Sequence, residues 1–180
     1  MPKPEVAFQR SLQLTDTTLG WRFVNPALSE LYTPYSMGET AENVAERYGV
    51  SREAQDMFAW RSPMKYVAAQ AQGKFDRERI PVPLSPVNGM PRSVETDEAP
   101  RPDTSLEKLA RLKTVFREHG TVTAGNAAGL NDGASALLLA SEEAVRRYDL
   151  QPLARIVSMA VAGVHPDIMG IGPIPATRKA

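Results

Sequence analysis

The chain has 180 residues, of which 42% are apolar and 23% are charged, and its formal net charge at pH 7 is zero. This neutrality argues against nucleic acid as the main partner, and no apolar run approaches the ~20 residues that span a membrane. The absence of cysteine excludes disulfides and thiolate metal sites, and the N-terminus lacks the apolar core of a signal peptide, so we expect a cytoplasmic protein.

The first part of the chain predicts mostly helix. Residues 1–38 show little periodicity and indicate an irregular arm with short helical turns. Thr40 is a candidate cap for a helix over 40–48, which would end before a glycine, and Ser51 is a candidate cap for a longer helix over 51–72. Apolar residues at helical spacing would face the core from these helices: Ala41, Val44, Ala45 and Tyr48, and then Ala54, Met57, Met64, Ala68 and Ala71.

The second part predicts strands separated by loops and short helices. Residues 80–84 alternate apolar residues with proline, which permits at most an edge strand, and residues 85–104 indicate a loop. A short amphipathic helix is predicted over 105–112, and later helices are expected to begin at Ser141 and within the final six residues. Strands are predicted at three places: 121–123, 134–140 and 153–164.

A small-residue loop at residues 120–129 lies between two of these strands and is soon followed by the turn Asn131-Asp132-Gly133. Glycine and alanine let a backbone or a ligand approach closely, because they carry little side chain. The pattern alone favours a tight corner between core strands, with a ligand-binding loop as the alternative.

Three motifs of the chain resemble those of one enzyme family. Residues 120–134, GTVTAGNAAGLNDGA, are very similar to a signature of the thiolases, the coenzyme A-dependent acyltransferases that make or cleave 3-oxoacyl thioesters. Residues 37–45 resemble the family's MG-x-TAENVA motif, and residues 164–176 resemble its GV-x-P-x-x-MG-x-GP-x-PA motif. The motifs occur in the family's order, and residues 16–26 most resemble its beta-ketoadipyl-CoA thiolase branch.

The resemblance implies an α/β fold, with a helical and irregular loop domain and a few strands of the two thiolase halves. The loop domain, which covers coenzyme A in the family, would span 1–118, the end of the N-terminal half 119–152, and the first strand of the C-terminal half 153–180. The chain would then be an internal fragment of the family's sequence, and most partners of the predicted strands would be absent from it. The aromatic residues of the initial arm would either contact another subunit or pack locally.

The resemblance also assigns a coenzyme A site. Ser36 and Met37 would lie beside the pantetheine and acyl tunnel, and Arg101 would lie near the adenosine and phosphates. The remaining residues would enclose the ligand: Lys108, Leu112 and Phe116 as the lid, and Ala124 and Ala128 as the floor. Without the resemblance, the two cations are ordinary surface charges. Many members carry serine at position 128 and some carry histidine at position 36, so each departure here weakens binding by about 1 kcal/mol per lost hydrogen bond.

The family's chemistry needs residues that this chain does not contain. A cysteine carries the acyl group, a histidine activates it and a second cysteine acts as acid and base, whereas this chain has no cysteine. Neither His119 nor His165 matches the family's catalytic histidine motif, so no catalytic residue is assigned. No metal and no permanently bound cofactor is expected, since coenzyme A would be a substrate.

Two functions stay open at this point. The first is a thiolase-type acyltransferase that converts 3-oxoadipyl-CoA, or another 3-oxoacyl-CoA, and coenzyme A into two shorter thioesters, with the isolated chain inactive. The second is a non-catalytic coenzyme A-binding or oligomerising remnant of a truncated gene. The expected partners are coenzyme A thioesters together with a second copy of the chain or the thiolase segments absent from it.

Overall fold

The computed structural model describes residues 20–21 and 24–180, so most of the predicted initial arm lies outside the described residues. Within this part of the chain the elements follow one another in the order α1 (Pro26–Leu31), α2 (Met37–Tyr48), α3 (Arg52–Ala71), β1 (Val82–Val87), β2 (Met90–Val94), α4 (Leu106–Ala110), α5 (Glu142–Arg147), a 3₁₀ turn (Pro166–Ile171) and α6 (Pro173–Lys179).

Helix α2 begins one turn earlier than predicted. Ser36 is its N-cap, because its Oγ accepts a hydrogen bond from the Glu39 N–H at 3.3 Å, whereas the Thr40 hydroxyl donates to the Met37 carbonyl at 2.8 Å. The end at Gly49, where φ is 63°, is as predicted. Of the predicted apolar face, only Ala45 is buried. The other buried residues of α2 lie on a neighbouring face that includes two polar residues: Gly38, Thr40 and Glu42.

Helix α3 has the predicted bounds, and the Oγ of its cap Ser51 accepts from the Ala54 N–H at 3.2 Å. The predicted apolar stripe is wrong for this chain, since Asp56 is the buried residue of this helix and the stripe residues are exposed or half-buried. A stripe is buried only where another element covers it, and the element that packs on α3 is the single turn and a half of α4.

Strands β1 and β2 form an antiparallel hairpin, so the prediction of a loop over 85–104 is wrong for residues 85–94. Asn88 and Gly89 connect the strands with φ values of 51° and 76°, which is the conformation of a two-residue hairpin turn. Both strands are exposed along their whole length, and the pairing is irregular between Leu84 and Val87, where Pro86 offers no N–H.

The short helices agree with the sequence. Ser105 caps α4 and Ser141 caps α5, with acidic residues in the first turn and arginines in the last turn of α5. Helix α4 stops two residues before the predicted residue 112, and the expected terminal helix is α6. The 3₁₀ turn that precedes α6 was not anticipated.

The strands predicted over 134–140 and 153–164 are wrong for this chain, because both segments lack regular secondary structure and expose their apolar side chains. Leu137 is 90% exposed and Val157 is also 90% exposed. In place of a strand over 121–123 there is a single bridge between Thr123 and Thr114. A strand needs a neighbour for its backbone groups, and the described residues supply none here.

A small core lies where α2 packs on the 3₁₀ turn and α3 packs on α4. Its buried apolar residues come from four separate places in the chain: Ala45, Leu109, Val122 and Ile168. Equally buried polar residues lie among them: Thr40, Glu42, Asp56 and Thr123. Among the described residues, none of the helices is both long and apolar enough to cross a membrane.

Candidate functional site

Glu42 of α2 holds the beginning of the small-residue loop. Its carboxylate accepts hydrogen bonds from the Thr121 N–H at 2.8 and 2.9 Å, from the Thr121 hydroxyl at 2.9 Å and from the Val122 N–H at 2.8 Å. Burial opposes ionisation of this carboxyl, but these hydrogen bonds and the nearby Arg117 outweigh it and lower its pKa below the usual 4.5. The carboxylate is therefore charged at neutral pH although it is only 3% exposed.

Asn126 holds the same loop from the side of α3. Its Nδ2 donates to Asp56 Oδ1 and to the Thr121 carbonyl, both at 3.0 Å, and its Oδ1 accepts from the Thr123 N–H at 2.7 Å. Asp56 is 4% exposed and Thr123 is fully buried. The loop is thus clamped between two helices by side chains whose polar groups are all paired.

Arg52 connects this cluster to the end of α4. Its Nε donates to Asp56 Oδ2 at 2.8 Å, and its Nη2 donates to the carbonyls of Leu109 at 2.6 Å and Leu112 at 3.2 Å. The side chains of both leucines cover Gly125, since a Cβ at this glycine would lie 2.5 Å from a methyl carbon of each. The predicted lid residue Leu112 therefore packs directly on the loop that contains the predicted floor.

The predicted floor residues Ala124 and Ala128 are both exposed on the outer side of this loop. The polar side chains of the loop point the other way, into the clamp that the preceding hydrogen bonds describe. The small-residue loop consequently has a polar inner side and an outer side of alanine and glycine, which leaves its backbone accessible to a ligand.

Phe116 lies at the end of α2 at which Ser36 and Met37 begin the helix. Its ring covers Gly38 so closely that a Cβ at this glycine would overlap it. Next to it, Arg117 Nη2 donates to Glu39 Oε2 at 2.9 Å and to the Asn43 side-chain oxygen at 2.7 Å. This predicted lid residue is therefore fixed to α2 and does not hang free.

A mostly apolar groove of about 310 Å³ lies beside Met37, between α1, α2 and the 3₁₀ turn. Met37 is 62% exposed there and Met169 is 47% exposed. The groove walls are mainly aromatic, methionine and proline side chains, among them Trp21, Tyr32, Tyr35, Met37, Pro166 and Met169. An apolar trough of this kind suits an acyl or pantetheine chain.

The predicted cations Arg101 and Lys108 are exposed. Lys108 Nζ donates to Asp103 Oδ2 at 3.0 Å and to the Asp103 carbonyl at 2.7 Å, and this hydrogen bond holds the pKa of Asp103 below its usual range. Arg101 makes no ion pair with any described residue. Both cations are thus available to solvent: Lys108 is paired with the exposed Asp103, and the charge of Arg101 also helps to lower the pKa of Asp103.

Both histidines of the chain are exposed. His119 has a 93% exposed side chain and a left-handed φ of 56°. His165 begins the 3₁₀ turn, where its Nδ1 accepts from the Asp167 N–H at 3.4 Å. In the part of the chain that the structure describes, no three histidine or acidic side chains come together in a way that would hold a metal ion.

Sequence reasoning found the small-residue loop but missed the residues that clamp it, namely Glu42, Asp56 and Asn126. The available signal was one acidic residue in each of the helices α2 and α3, Glu42 and Asp56. A search for apolar stripes does not detect such residues. A buried carboxylate needs several donors, and a loop of small residues with free backbone N–H groups supplies them.

Helix α2 joins the three sequence motifs in space. Glu42 binds the loop of the motif at residues 120–134, and Asn43 Nδ2 donates to the Asp167 carbonyl in the motif at residues 164–176 at 3.0 Å. The family description "Thiolase, N-terminal domain" matches residues 3–143, which is most of the chain. The chain belongs to the thiolase family.

Several thiolases are close in sequence and structure. "Beta-ketoadipyl-CoA thiolase" of Pseudomonas aeruginosa is 55% identical over 179 residues, which are 99% of this chain and 44% of that protein. "3-oxoadipyl-CoA/3-oxo-5,6-dehydrosuberyl-CoA thiolase" of Escherichia coli is 50% identical over 179 residues, 99% of this chain and 45% of that protein. The crystal structure of the Bacillus anthracis acetyl-CoA acetyltransferase matches with a TM-score of 0.80 and 44% identity, covering 96% of this chain and 43% of that one.

These comparisons confirm the thiolase resemblance and the α/β thiolase-like fold. They also show that the chain spans less than half the length of the curated relatives that it matches. The predicted division at residues 118 and 152 and the individual site residues stay predictions.

Proposed function

We propose that the chain contributes the coenzyme A-facing part of a thiolase-type acyltransferase acting on 3-oxoadipyl-CoA. The observation that carries the proposal is the 55% identity, over 99% of the chain, to a protein named beta-ketoadipyl-CoA thiolase. In the proposed reaction, coenzyme A cleaves 3-oxoadipyl-CoA and yields succinyl-CoA and acetyl-CoA. A cytoplasmic location and a homo-oligomeric assembly belong to the same proposal.

In this proposal, coenzyme A lies along the outer side of the small-residue loop. Ala124 and Ala128 form the floor, and Leu112, packed on Gly125, forms the adjoining wall. Small side chains at the floor allow close approach of the pantetheine, and the leucine adds apolar contact. Phe116 continues this wall toward the N-terminal end of α2.

The phosphates and the acyl chain would lie at opposite ends of this site. Arg101 meets a phosphate without giving up an ion pair, whereas Lys108 must first leave Asp103. At the other end, Met37 borders the 310 Å³ apolar groove, and Ser36 is occupied as the cap of α2. The proposed domains are the coenzyme A-covering residues 1–118, followed by 119–152 and 153–180 from the two thiolase halves.

The covalent steps would belong to thiolase segments that this chain does not span. A thioester with the enzyme needs a thiolate, and the chain has no cysteine. The role left to the chain is to bind, orient and cover coenzyme A. That role is proposed here, and it predicts binding without turnover for the chain alone.

A non-catalytic remnant is the second candidate function. It is favoured by the exposed apolar segments 134–140 and 153–164, in which Leu137 and Val157 are each 90% exposed. A chain that works within a larger thiolase would cover these segments, whereas a remnant would cover them by self-association.

Binding of coenzyme A by the chain is the first test. We expect a dissociation constant on the order of 0.1 to 1 mM, with NMR shift changes at Arg101 and at residues 112–116. Arg101→Gln should weaken binding about threefold in low salt. Arg77→Gln is the control and should leave binding unchanged, since Arg77 is also exposed and also makes no ion pair with a described residue. A spectrum of folded protein that is unchanged at several millimolar ligand would remove the binding site from the proposal.

A chimera tests the activity. The matching 45% of the Escherichia coli relative would be replaced by this chain, and thiolysis of 3-oxoadipyl-CoA and acetoacetyl-CoA would be measured side by side. We expect 3-oxoadipyl-CoA to be the better substrate of the chimera. A stable, folded chimera that is inactive on both thioesters would favour the remnant instead.

A further inference from the structure

We propose that Glu42 is a positioning residue for coenzyme A, whose carboxylate sets the distance between the floor and the wall of the ligand site. The inference rests on the proposed coenzyme A site and identifies the residue that shapes it. Its two carboxylate oxygens accept hydrogen bonds from residues 121 and 122, which lie just before the floor in the sequence.

The clamp determines which side of the loop faces outward. The Thr121 side chain hydrogen-bonds to Glu42 and Gln55, the Asn126 side chain hydrogen-bonds to Asp56 and the backbone, and Thr123 is fully buried. The residues that then remain on the outer side are Ala124, Ala127, Ala128 and Gly129, all of them exposed. The outer side of the loop therefore consists of small residues because hydrogen bonds, including those to the Glu42 carboxylate, hold the polar side chains on the inner side.

The small-residue loop packs closely against Leu109 and Leu112. Leu109 and Leu112 already touch Gly125 so closely that one added carbon would lie 2.5 Å from each of them. Real carbon atoms in packed interiors keep about 3.5 to 4.0 Å apart. A shift of the loop toward α4 is therefore blocked, and a shift away from α4 opens the space between Leu112 and the floor.

The charge of Glu42, and not only its shape, is required for this arrangement. The carboxylate accepts from two backbone N–H groups and one hydroxyl, and among the described residues it makes no ion pair, because the nearby Arg117 binds Glu39 and Glu46. A glutamine has a single acceptor oxygen, and its NH₂ group would point donors at an N–H donor. Glu42→Gln thus preserves size but pushes one side of the loop away.

Glu42→Gln and Glu46→Gln form a matched pair for the experiment. Both residues lie on α2, but the Glu46 side chain is 80% exposed and hydrogen-bonds to Arg117 at 3.2 Å, away from the loop. Using coenzyme A itself as the probe, we expect the dissociation constant of Glu42→Gln to rise about tenfold and that of Glu46→Gln to stay within twofold. In the ligand-free Glu42→Gln variant, the amide signals of residues 124–129 should also shift, while those of α5 should not.

A purely structural role would give a different result. It would lower the melting temperature of Glu42→Gln but leave the affinity of the folded protein and the signals of residues 124–129 unchanged, and this would overturn the inference. If Glu42→Gln does not fold, Thr121→Val decides. It removes the hydroxyl that donates to Glu42 Oε2 and accepts from Gln55 Nε2, keeps the backbone N–H donors and should weaken binding about threefold. Equal affinity of that variant overturns the inference.

Failure of the proposed function is distinguishable from failure of this inference. If the unsubstituted chain does not bind coenzyme A, the proposed binding site is wrong. The positioning role of Glu42 is then tested only by the amide NMR signals of residues 124–129. Signals of residues 124–129 that move in Glu42→Gln but not in Glu46→Gln then support it, and unmoved signals overturn it.

Discussion

Replacing Asn126 by alanine should lower the free energy of unfolding by about 3 kcal/mol. The change removes hydrogen bonds to Asp56 Oδ1 and the Thr121 carbonyl, both at 3.0 Å, and the acceptor of the Thr123 N–H at 2.7 Å. Thr123 is fully buried and Asp56 is 4% exposed, so water replaces these partners poorly. A buried group without a partner costs about 1–3 kcal/mol, and two such groups give the expected loss.

Urea unfolding followed by tryptophan fluorescence measures this loss, with Asn131→Ala as the control. Asn131 is an exposed asparagine a few residues further along and should cost less than 0.5 kcal/mol. Asn126→Asp should be worse than alanine at neutral pH, because its carboxylate faces that of Asp56. A loss below 1 kcal/mol for Asn126→Ala, or no difference from the control, would refute the view that the loop is held by buried polar groups.

Three further predictions concern activity, association and pH. The isolated chain should not catalyse thiolysis of 3-oxoadipyl-CoA, and turnover above the uncatalysed rate by pure protein would contradict the chemical argument. The chain should self-associate in sedimentation velocity, and Leu138→Lys, at a residue that is 81% exposed, should reduce the association; a monomeric parent chain would show that the exposed segments are covered in another way. Because the pKa of Glu42 is lowered on folding, the ionised Glu42 carboxylate stabilises the folded protein above pH 4.5, and this contribution is lost as the pH falls below that value. Glu42→Gln should flatten this part of the plot of unfolding free energy against pH. Parallel plots for the two proteins would argue against a charged Glu42.

Helix ends were readable from the sequence because they depend on local chemistry. Ser51, Ser105 and Ser141 each cap the helix that was predicted to begin there. At α2 the predicted cap Thr40 is wrong, because Ser36 caps the helix and the Thr40 hydroxyl is bonded inside the first turn. The hairpin was missed for a local reason too, since the prolines at 83, 86 and 91 outweighed the Asn88-Gly89 turn signal.

Burial was not readable in the same way, because it depends on what lies opposite. The apolar run at 134–140 looks like a buried strand, yet in this chain nothing among the described residues pairs with it. Conversely, Glu42 and Asp56 carry charged side chains and are among the most buried of the described residues. Their partners are 70 to 80 residues away in the sequence, and no local pattern reveals such a pairing.

The bond between Asn43 and Asp167 spans 124 residues, and the bond between Glu42 and Val122 spans 80. During synthesis at ~5–20 residues per second, the ribosome needs on the order of 10 s to deliver the second partner of each pair. Helix α2 has only 12 residues, and so short a helix is marginal by itself in water. The nascent chain therefore passes a long interval with α2 unsupported, and this is the period in which chaperone binding or premature aggregation would compete with folding.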